Sequence, residues 1–300
     1  MDEIYSTAHV VVTPARNEGQ NLSDLVSSMA SQTIVPRRWL IVNDNSSDET
    51  NEIIIEAESS HDWISHIDVN NGSKRKRGRQ ISALFNLGLS SIDCDWQFCS
   101  KIDADMILPT DYFERIFAEF YSEKSLGIAG GVCYLISNGK EITERTFGNH
   151  TRGGLKTYRR ECLESIGGIK EVDGWDGIDR IMAQMENWDC RALPSLRVTH
   201  QRSTGSSYGL LRSCFENGSF AYSMSYYPPY MLLRCLHMVT KWPYLFGGFS
   251  MFLGYLSAFL CRRLLSVDPL VSHQIRSEQK KRIRNWRKLF SEVFYPNSGD

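Results

Sequence analysis

The sequence predicts an α/β protein with a mostly parallel central sheet flanked by helices. Three short apolar runs recur in its first third, each ends in a polar loop, and helical patterns separate them. Alternation of this kind places ligands at the carboxyl ends of the strands.

His9-Val10-Val11-Val12-Thr13 is the first run, and Pro14 stops it at the loop Pro14-Ala15-Arg16-Asn17-Glu18-Gly19. From Asn21 to Gln32 the apolar positions Leu22, Leu25, Val26 and Met29 share one helical face. Arg38 to Asp44 repeats the strand, and Asn45-Ser46-Ser47-Asp48 supplies turn and capping chemistry before a helix over Glu49 to Glu58. Another strand is expected within residues 61–71, a helix over Arg79 to Leu89, and a third clear strand over Asp95 to Ile102. Beyond Asp105 the pattern gives a helix over Pro109 to Tyr121, a strand over Gly127 to Ile136, and a glycine-rich stretch from Gly139 to Trp188.

The chain has 300 residues, 42% hydrophobic and 23% charged, enough for a sizeable core, as expected of a globular enzyme. A formal net charge of -1 argues against a surface built to neutralise nucleic acid, so no nucleic-acid partner is expected. The eight cysteines form no C-x-x-C pair, which suggests reduced cytosolic thiols. The N-terminus opens with acidic residues and has no long apolar stretch, so no signal peptide is expected.

The chemistry concentrates at the strand ends. Asp103-Ala104-Asp105 follows the third strand, where residues two apart point to one side in extended backbone. Two carboxylates held that close call for a cation, and hard oxygen ligands suit Mg²⁺ or Mn²⁺. A lone pair of this kind is equally compatible with a solvated loop. Polar residues also follow the first strand (Arg16, Asn17, Glu18) and the second (Asp44 to Asp48), so three loops converge on one sheet edge.

Taken in this order, the three loops resemble family 2 glycosyltransferases with the nucleotide-sugar-binding GT-A fold. The family's opening Pro-x-x-Asn-Glu stands here as Pro14-Ala15-Arg16-Asn17-Glu18, its second motif as Asp44-Asn45-Ser46-Ser47-Asp48, and its Asp-x-Asp as Asp103-Ala104-Asp105. The resemblance covers roughly residues 8–222. It implies that Pro14 to Glu18, Asp44 and Asn45 bind the donor's nucleoside. It also implies that Asp103 lies near ribose and metal, with Ala104 between, and that Asp105 ligates the ion that bridges the diphosphate.

Lys74-Arg75-Lys76-Arg77-Gly78-Arg79 is the densest basic run; its position suggests a phosphate-facing loop, with Arg77 the candidate donor contact. Gly78 to Gly88 matches the family's Gly-x-x-x-Ala-x-Asn-x-Gly region, with Asn86 in step. The paired Gly153-Gly154 resembles the family's backbone turn at the sugar, which makes Gly154 a donor-site candidate, although simple turns use the same residues. In Gly174-Trp175-Asp176-Gly177-Ile178-Asp179, the family's acceptor-side Glu-Asp pair aligns with Ile178-Asp179. Asp179 is therefore the first candidate general base and Asp176 its close rival. His200 lies where many relatives carry a third metal ligand, and a structural histidine is the alternative. The Gln-x-x-Arg-Trp motif of processive relatives does not follow it, which favours single addition.

Pro243 to Cys261 is a nineteen-residue stretch without charge, bordered by Lys241-Trp242 and Arg262-Arg263. A transmembrane span and an interfacial hairpin with Met231 to Val239 are both open, and the basic tail from Arg276 to Lys288 favours the hairpin. The expected organisation is a catalytic domain over residues 1–225, a hydrophobic membrane-associated helical segment over 226–270 and a basic tail over 271–300. The expected activity is metal-dependent, inverting transfer of a sugar from a nucleotide-sugar donor to a glycan or lipid-linked acceptor, at the cytoplasmic face of the cell membrane. Two alternatives are a sugar-phosphate nucleotidyltransferase, for which Pro14 to Gly19 lacks the glycine-rich loop, and a non-catalytic membrane-tethered polyanion-binding protein.

Overall fold

The computed structural model describes residues 9–70, 78–137, 140–144, 151–202, 209–240 and 242–285. The chain divides into two compact units, residues 1–203 and 204–300.

The first unit is built on a nine-stranded sheet. Its strands are β1 (His9–Ala15), β2 (Arg38–Asn43), β3 (Ile64–Asp68), β4 (Phe98–Ile102), β5 (Met106–Ile107), β6 (Leu126–Ser137), β7 (Lys140–Thr143), β8 (Leu155–Arg159) and β9 (Asp189–His200). Helices α1 (Gly19–Ala30), α2 (Thr50–Ser60), α3 (Arg79–Ser90), α4 (Tyr112–Ser122), α5 (Arg160–Ser165) and α6 (Trp175–Met185) connect them. The strand order is β3-β2-β1-β4-β8-β6-β9-β5, with β7 paired to β6.

Alternation along β1 explains the layering. Val11 points into a core with Leu22, Leu25 and Met29 of α1, Ile54 of α2 and the aromatic face of α4. Val10 and Val12 point the other way, toward Leu84 and Phe85 of α3, Cys162 of α5 and Trp175 of α6. Both faces are covered, so the strand reads as a continuous β-branched run.

The expected mostly parallel sheet holds only for the first four strands. β1 pairs parallel with β2 and β4, and β2 with β3. Beyond them β8 runs antiparallel to β4 and β6, β7 antiparallel to β6, and β5 antiparallel to β9; only β6 with β9 is again parallel. The sheet is therefore mixed. The reason is connectivity, since a parallel neighbour needs a crossover of a dozen residues or more: each of the first four strands is followed or preceded by such a helical crossover, whereas β8 enters between β4 and β6 against the direction of both.

The order also fixes where a ligand can sit. The chain moves outward from β1 to β3 and returns on the opposite side of β1 as β4, so the loops leaving β1 and β4 diverge. Such a reversal opens a crevice at the strands' carboxyl ends.

The second unit holds α7 (Leu210–Ser223), α8 (Pro228–Val239), α9 (Tyr244–Leu260) and α10 (Pro269–Arg284). Cys214 and Ala221 of α7, Met231 and Cys235 of α8 and Met251 of α9 share one apolar cluster. By contacts α7 thus belongs with the helices that follow it, not with residues 1–203. Among the described residues no helix is long and apolar enough to cross a membrane.

Candidate active site

An open cleft of about 540 Å³ occupies the predicted crevice. Pro14, Ala15, Arg16 and Glu18 line it from the β1 loop, Asp44 from the β2 loop, and Asp103, Ala104 and Asp105 from the β4 loop. The structure therefore brings the three sequence-predicted loops to one place.

The first two loops are tied to each other. Asn17 and Asn45 both adopt left-handed backbone, with φ of 52° and 53°. The backbone N–H of Asn17 donates to Ser46 Oγ at 3.1 Å, and that of Ser47 donates to Asn17 Oδ1 at 2.8 Å. Asp48 accepts from the backbone N–H groups of Gly19 and Thr50, at 3.1 and 3.2 Å. Asn17 and Asn45 are exposed and are not among the residues that line the cleft; what the structure gives them is a part in shaping the two loops.

Asp44 is 2% exposed. Its Oδ2 accepts from Arg16 Nη1 at 3.1 Å and from Gln80 Nε2 at 2.6 Å. Its Oδ1 is buried without a hydrogen-bond partner among the described residues. A buried carboxylate oxygen left unsatisfied is costly, and in a cleft it marks where a ligand's donor belongs. Gln80, which enters from the first turn of α3, carries no local signal that singles it out.

At the β4 end, Asp103 pairs with Lys101, and its backbone N–H donates to the Gly154 carbonyl at 2.9 Å. A methyl group on Gly154 would collide with the Asp103 carboxylate, which is why glycine stands there. Asp105 is buried beside two cations. His200 Nε2 lies 3.3 Å from Asp105 Oδ2, and Arg202 bridges Asp105 at 3.1 Å and Glu18 at 2.7 Å. Burial opposes ionisation of Asp105, but His200 and Arg202 outweigh it and hold its pKa below the usual value. Burial likewise works against a charged His200, but Asp105 and Glu144 raise its pKa above 6.5. Glu144 Oε2 lies 2.7 Å from His200 Nδ1. Arg202 and Glu144 were invisible as site residues in the sequence, because the β5–β9 pairing brings the end of β9 to Asp105 and the β6–β7 hairpin places Glu144 beside His200.

The two candidate bases have different surroundings. Asp179, in α6, is 1% exposed. Lys156 Nζ donates to both of its oxygens at 2.7 and 2.8 Å, Tyr158 Oη to Oδ2 at 2.5 Å, and the Arg180 backbone N–H to Oδ1 at 2.5 Å. Burial raises its pKa, partly offset by Lys156 and Tyr158. Both of its oxygens are thus engaged within the protein, each accepting two hydrogen bonds. Asp176 is half-buried in the first turn of α6. It stands next to Gly153, while Gly154 abuts Asp103, so the paired-glycine turn separates the two carboxylates.

Under this turn lie two buried lysines. Lys101 and Lys156 face each other across the β4–β8 ladder. Their ammonium groups lie 5.5 and 5.7 Å from the Trp175 ring centroid. Lys156 Nζ also donates to the Asp176 carbonyl at 2.5 Å, which anchors the start of α6. Arg77 lies outside the described residues, as do Lys74, Arg75 and Lys76.

Comparison with known proteins decides the family. The model described as "Glycosyl transferase family 2" matches residues 10–169, more than half of the chain. The chain belongs to glycosyl transferase family 2. The chain is 30% identical to the poly-beta-1,6-N-acetyl-D-glucosamine synthase of Staphylococcus epidermidis over 116 residues, 38% of this chain and 26% of that protein. It thus spans about a quarter of the length of the curated relatives it matches. Among solved structures, the mannosyltransferase PcManGT from Pyrobaculum calidifontis, in complex with GDP-Man and Mn²⁺, aligns with a TM-score of 0.56 at 14% identity. That alignment covers 95% of this chain and 84% of that one. A fragment of S. aureus TarS in complex with UDP aligns with a TM-score of 0.51 at 17% identity, over 65% of this chain and 61% of that one. These likenesses show that the chain has a GT-A-like fold.

Two side chains at the β4 end of the cleft can be tested against the needs of a divalent ion. Among the described residues no cluster of three or more His, Cys, Asp or Glu is arranged for a metal. Asp105 Oδ2 and His200 Nε2 nevertheless stand 3.3 Å apart, close to the ~3 Å edge expected for two ligands on one ion with ~2.1 Å bonds. Donation of Nδ1–H to Glu144 would leave the Nε2 lone pair turned toward Asp105, the arrangement in which a carboxylate orients a metal-binding imidazole. Oxygen and imidazole donors together suit Mn²⁺ or Mg²⁺.

Proposed function

We propose that this glycosyltransferase moves a sugar from a nucleoside diphosphate sugar to an acceptor hydroxyl on a glycan or lipid-linked molecule, with inversion at the anomeric carbon. The observation that carries this reading is the buried, unpartnered Asp44 Oδ1 in the cleft. It suits a nucleobase with a ring N–H, such as uracil, thymine or guanine, and Arg16 and Gln80 fix the carboxylate by its other oxygen.

Asp105 and His200 would hold Mg²⁺ or Mn²⁺, with Asp103 nearby, and the ion would neutralise the diphosphate as it departs. Arg202 brings further positive charge to the same end of the cleft. Across the Gly153-Gly154 turn, Asp176 takes the proton of the acceptor hydroxyl as its oxygen bonds to the anomeric carbon and the bond to the phosphate oxygen breaks. A single displacement of this kind inverts the centre. On this reading the family's Glu-Asp pair falls on Trp175-Asp176, and Lys156 and Asp179 support it from below.

The test is binding and turnover of UDP-, GDP- and dTDP-sugars by the purified chain with Mn²⁺, with Mg²⁺ and with EDTA, and with the product anomer read by NMR. Metal-dependent use of one donor with an inverted product supports the proposal. A folded protein that binds none of these donors overturns it.

A further inference from the structure

The two sides of α9 differ in chemistry. Gly247, Gly248, Met251, Gly254 and Ala258 are buried. A methyl group on Gly254 would strike the Phe215 carbonyl of α7, and one on Gly218 of α7 would strike the Met251 carbonyl. This side is committed to backbone-close packing against α7 and, through Gly248, against α8.

The other side carries Leu245, Phe246, Phe249, Leu253, Phe259 and Leu260, all exposed, with Phe246 at 70% and Leu260 at 69%. At about 100° per residue these six fall within an arc of roughly 140°. The stripe runs the length of the helix. Exposed Trp242 and Tyr244 precede it, and exposed Arg262, Arg263 and Leu264 follow. No aspartate or glutamate occurs between Glu216 and Asp268, whereas Arg234, Lys241, Arg262 and Arg263 do.

We infer that α9 docks flat on an anionic bilayer, with its phenylalanine and leucine stripe in the interfacial layer and Arg262 and Arg263 on lipid phosphates. The charge pattern selects the occupant: an acid-free surface with arginines at the end of the stripe complements a leaflet of negative headgroups. Length selects the geometry. Seventeen residues make a helix of about 25 Å, short of the ~30 Å hydrocarbon core. The packed glycine side further denies lipid access all round. The inference concerns a surface of the second unit alone, and it stands or falls independently of donor use.

The experiment is co-sedimentation of the full chain with vesicles of phosphatidylcholine alone and of phosphatidylcholine with phosphatidylglycerol, at low and high salt. The wild type is expected to pellet with the anionic vesicles and to be partly released by salt. Arg262→Glu should lower partitioning onto the anionic vesicles about tenfold and leave the weak binding to neutral ones unchanged. Phe246→Ser combined with Phe249→Ser should lower partitioning onto both, with an unchanged circular dichroism spectrum and melting temperature. Wild-type protein that stays in the supernatant with both vesicle types overturns the inference. So does a soluble dimer that the phenylalanine pair variant converts to monomer, since the stripe would then belong to a second copy. Resistance to alkaline carbonate extraction would show a span and overturn the flat geometry.

Discussion

Lys156 Nζ lies 2.7 and 2.8 Å from the two carboxylate oxygens of Asp179, and neither side chain is more than 1% exposed. A pair this deep is a structural element, because each charge is tolerable only with its partner present. Replacement of Asp179 by Asn should therefore destabilise the protein by about 3–5 kcal/mol, read by urea denaturation. The Asp176→Asn variant should melt like wild type and lose about 10²–10⁴-fold in kcat. The reverse pattern would return the base role to Asp179.

Asp44 offers a second test. Its Oδ2 is held by Arg16 and Gln80 and its Oδ1 is unpartnered. If Oδ1 receives a nucleobase N–H, Asp44→Ala should weaken nucleotide binding by about 10–100-fold, the worth of a hydrogen bond to a charged group. Calorimetry with the free nucleoside diphosphate reads this directly, and unchanged affinity would remove Asp44 from the donor site.

Gly154 touches the Asp103 carboxylate so closely that a methyl group has no room. Gly154→Ala should push Asp103 away from its place beside Lys101, raising the donor KM while the fold survives. Gly168→Ala is the control: no atom lies within 4 Å of a methyl group there, and its φ of 76° makes it strained for local reasons alone. The control should lose stability and keep its KM.

The pairing of Asp105 with His200 predicts a pH window in metal-free protein. His200 has its pKa raised above 6.5, so its contribution to stability is complete below 6.5 and is lost as pH rises through the folded value. Asp105 has its pKa depressed, so its contribution is present above the ordinary value of 3.8 and is lost as pH falls through the folded value. In EDTA, the urea midpoint should thus decline on the alkaline side of the window. His200→Gln should remove that decline and leave the other titrations in place.

The donor loops were legible in the sequence because their signals are local. An apolar run that ends at Pro14, Asp44 or Asp103 announces a strand end, and strand ends in an α/β sheet converge by topology. The difference between the two candidate bases was not legible. Asp176 and Asp179 are three residues apart on one helix face, so spacing cannot separate them. The helix begins at Trp175, after Gly174 in left-handed backbone, and what lies beneath it makes one carboxylate buried and the other half-buried. Gln80, Glu144 and Arg202 each reach the cleft or its neighbourhood through pairings distant in sequence, and no single-chain pattern encodes those. The antiparallel return at β8 was hidden for the same reason, since Leu155 to Arg159 alone does not state its direction.

The facing lysines of β4 and β8 have one more consequence. Lys101 holds the carboxylate of Asp103 on the donor side, Lys156 holds the first turn of α6 on the acceptor side, and they are register partners in a single ladder. On the proposed mechanism, the gap a migrating sugar must cross is thereby gauged by a rung of the sheet, a ruler set by backbone pairing and not by the surrounding loops.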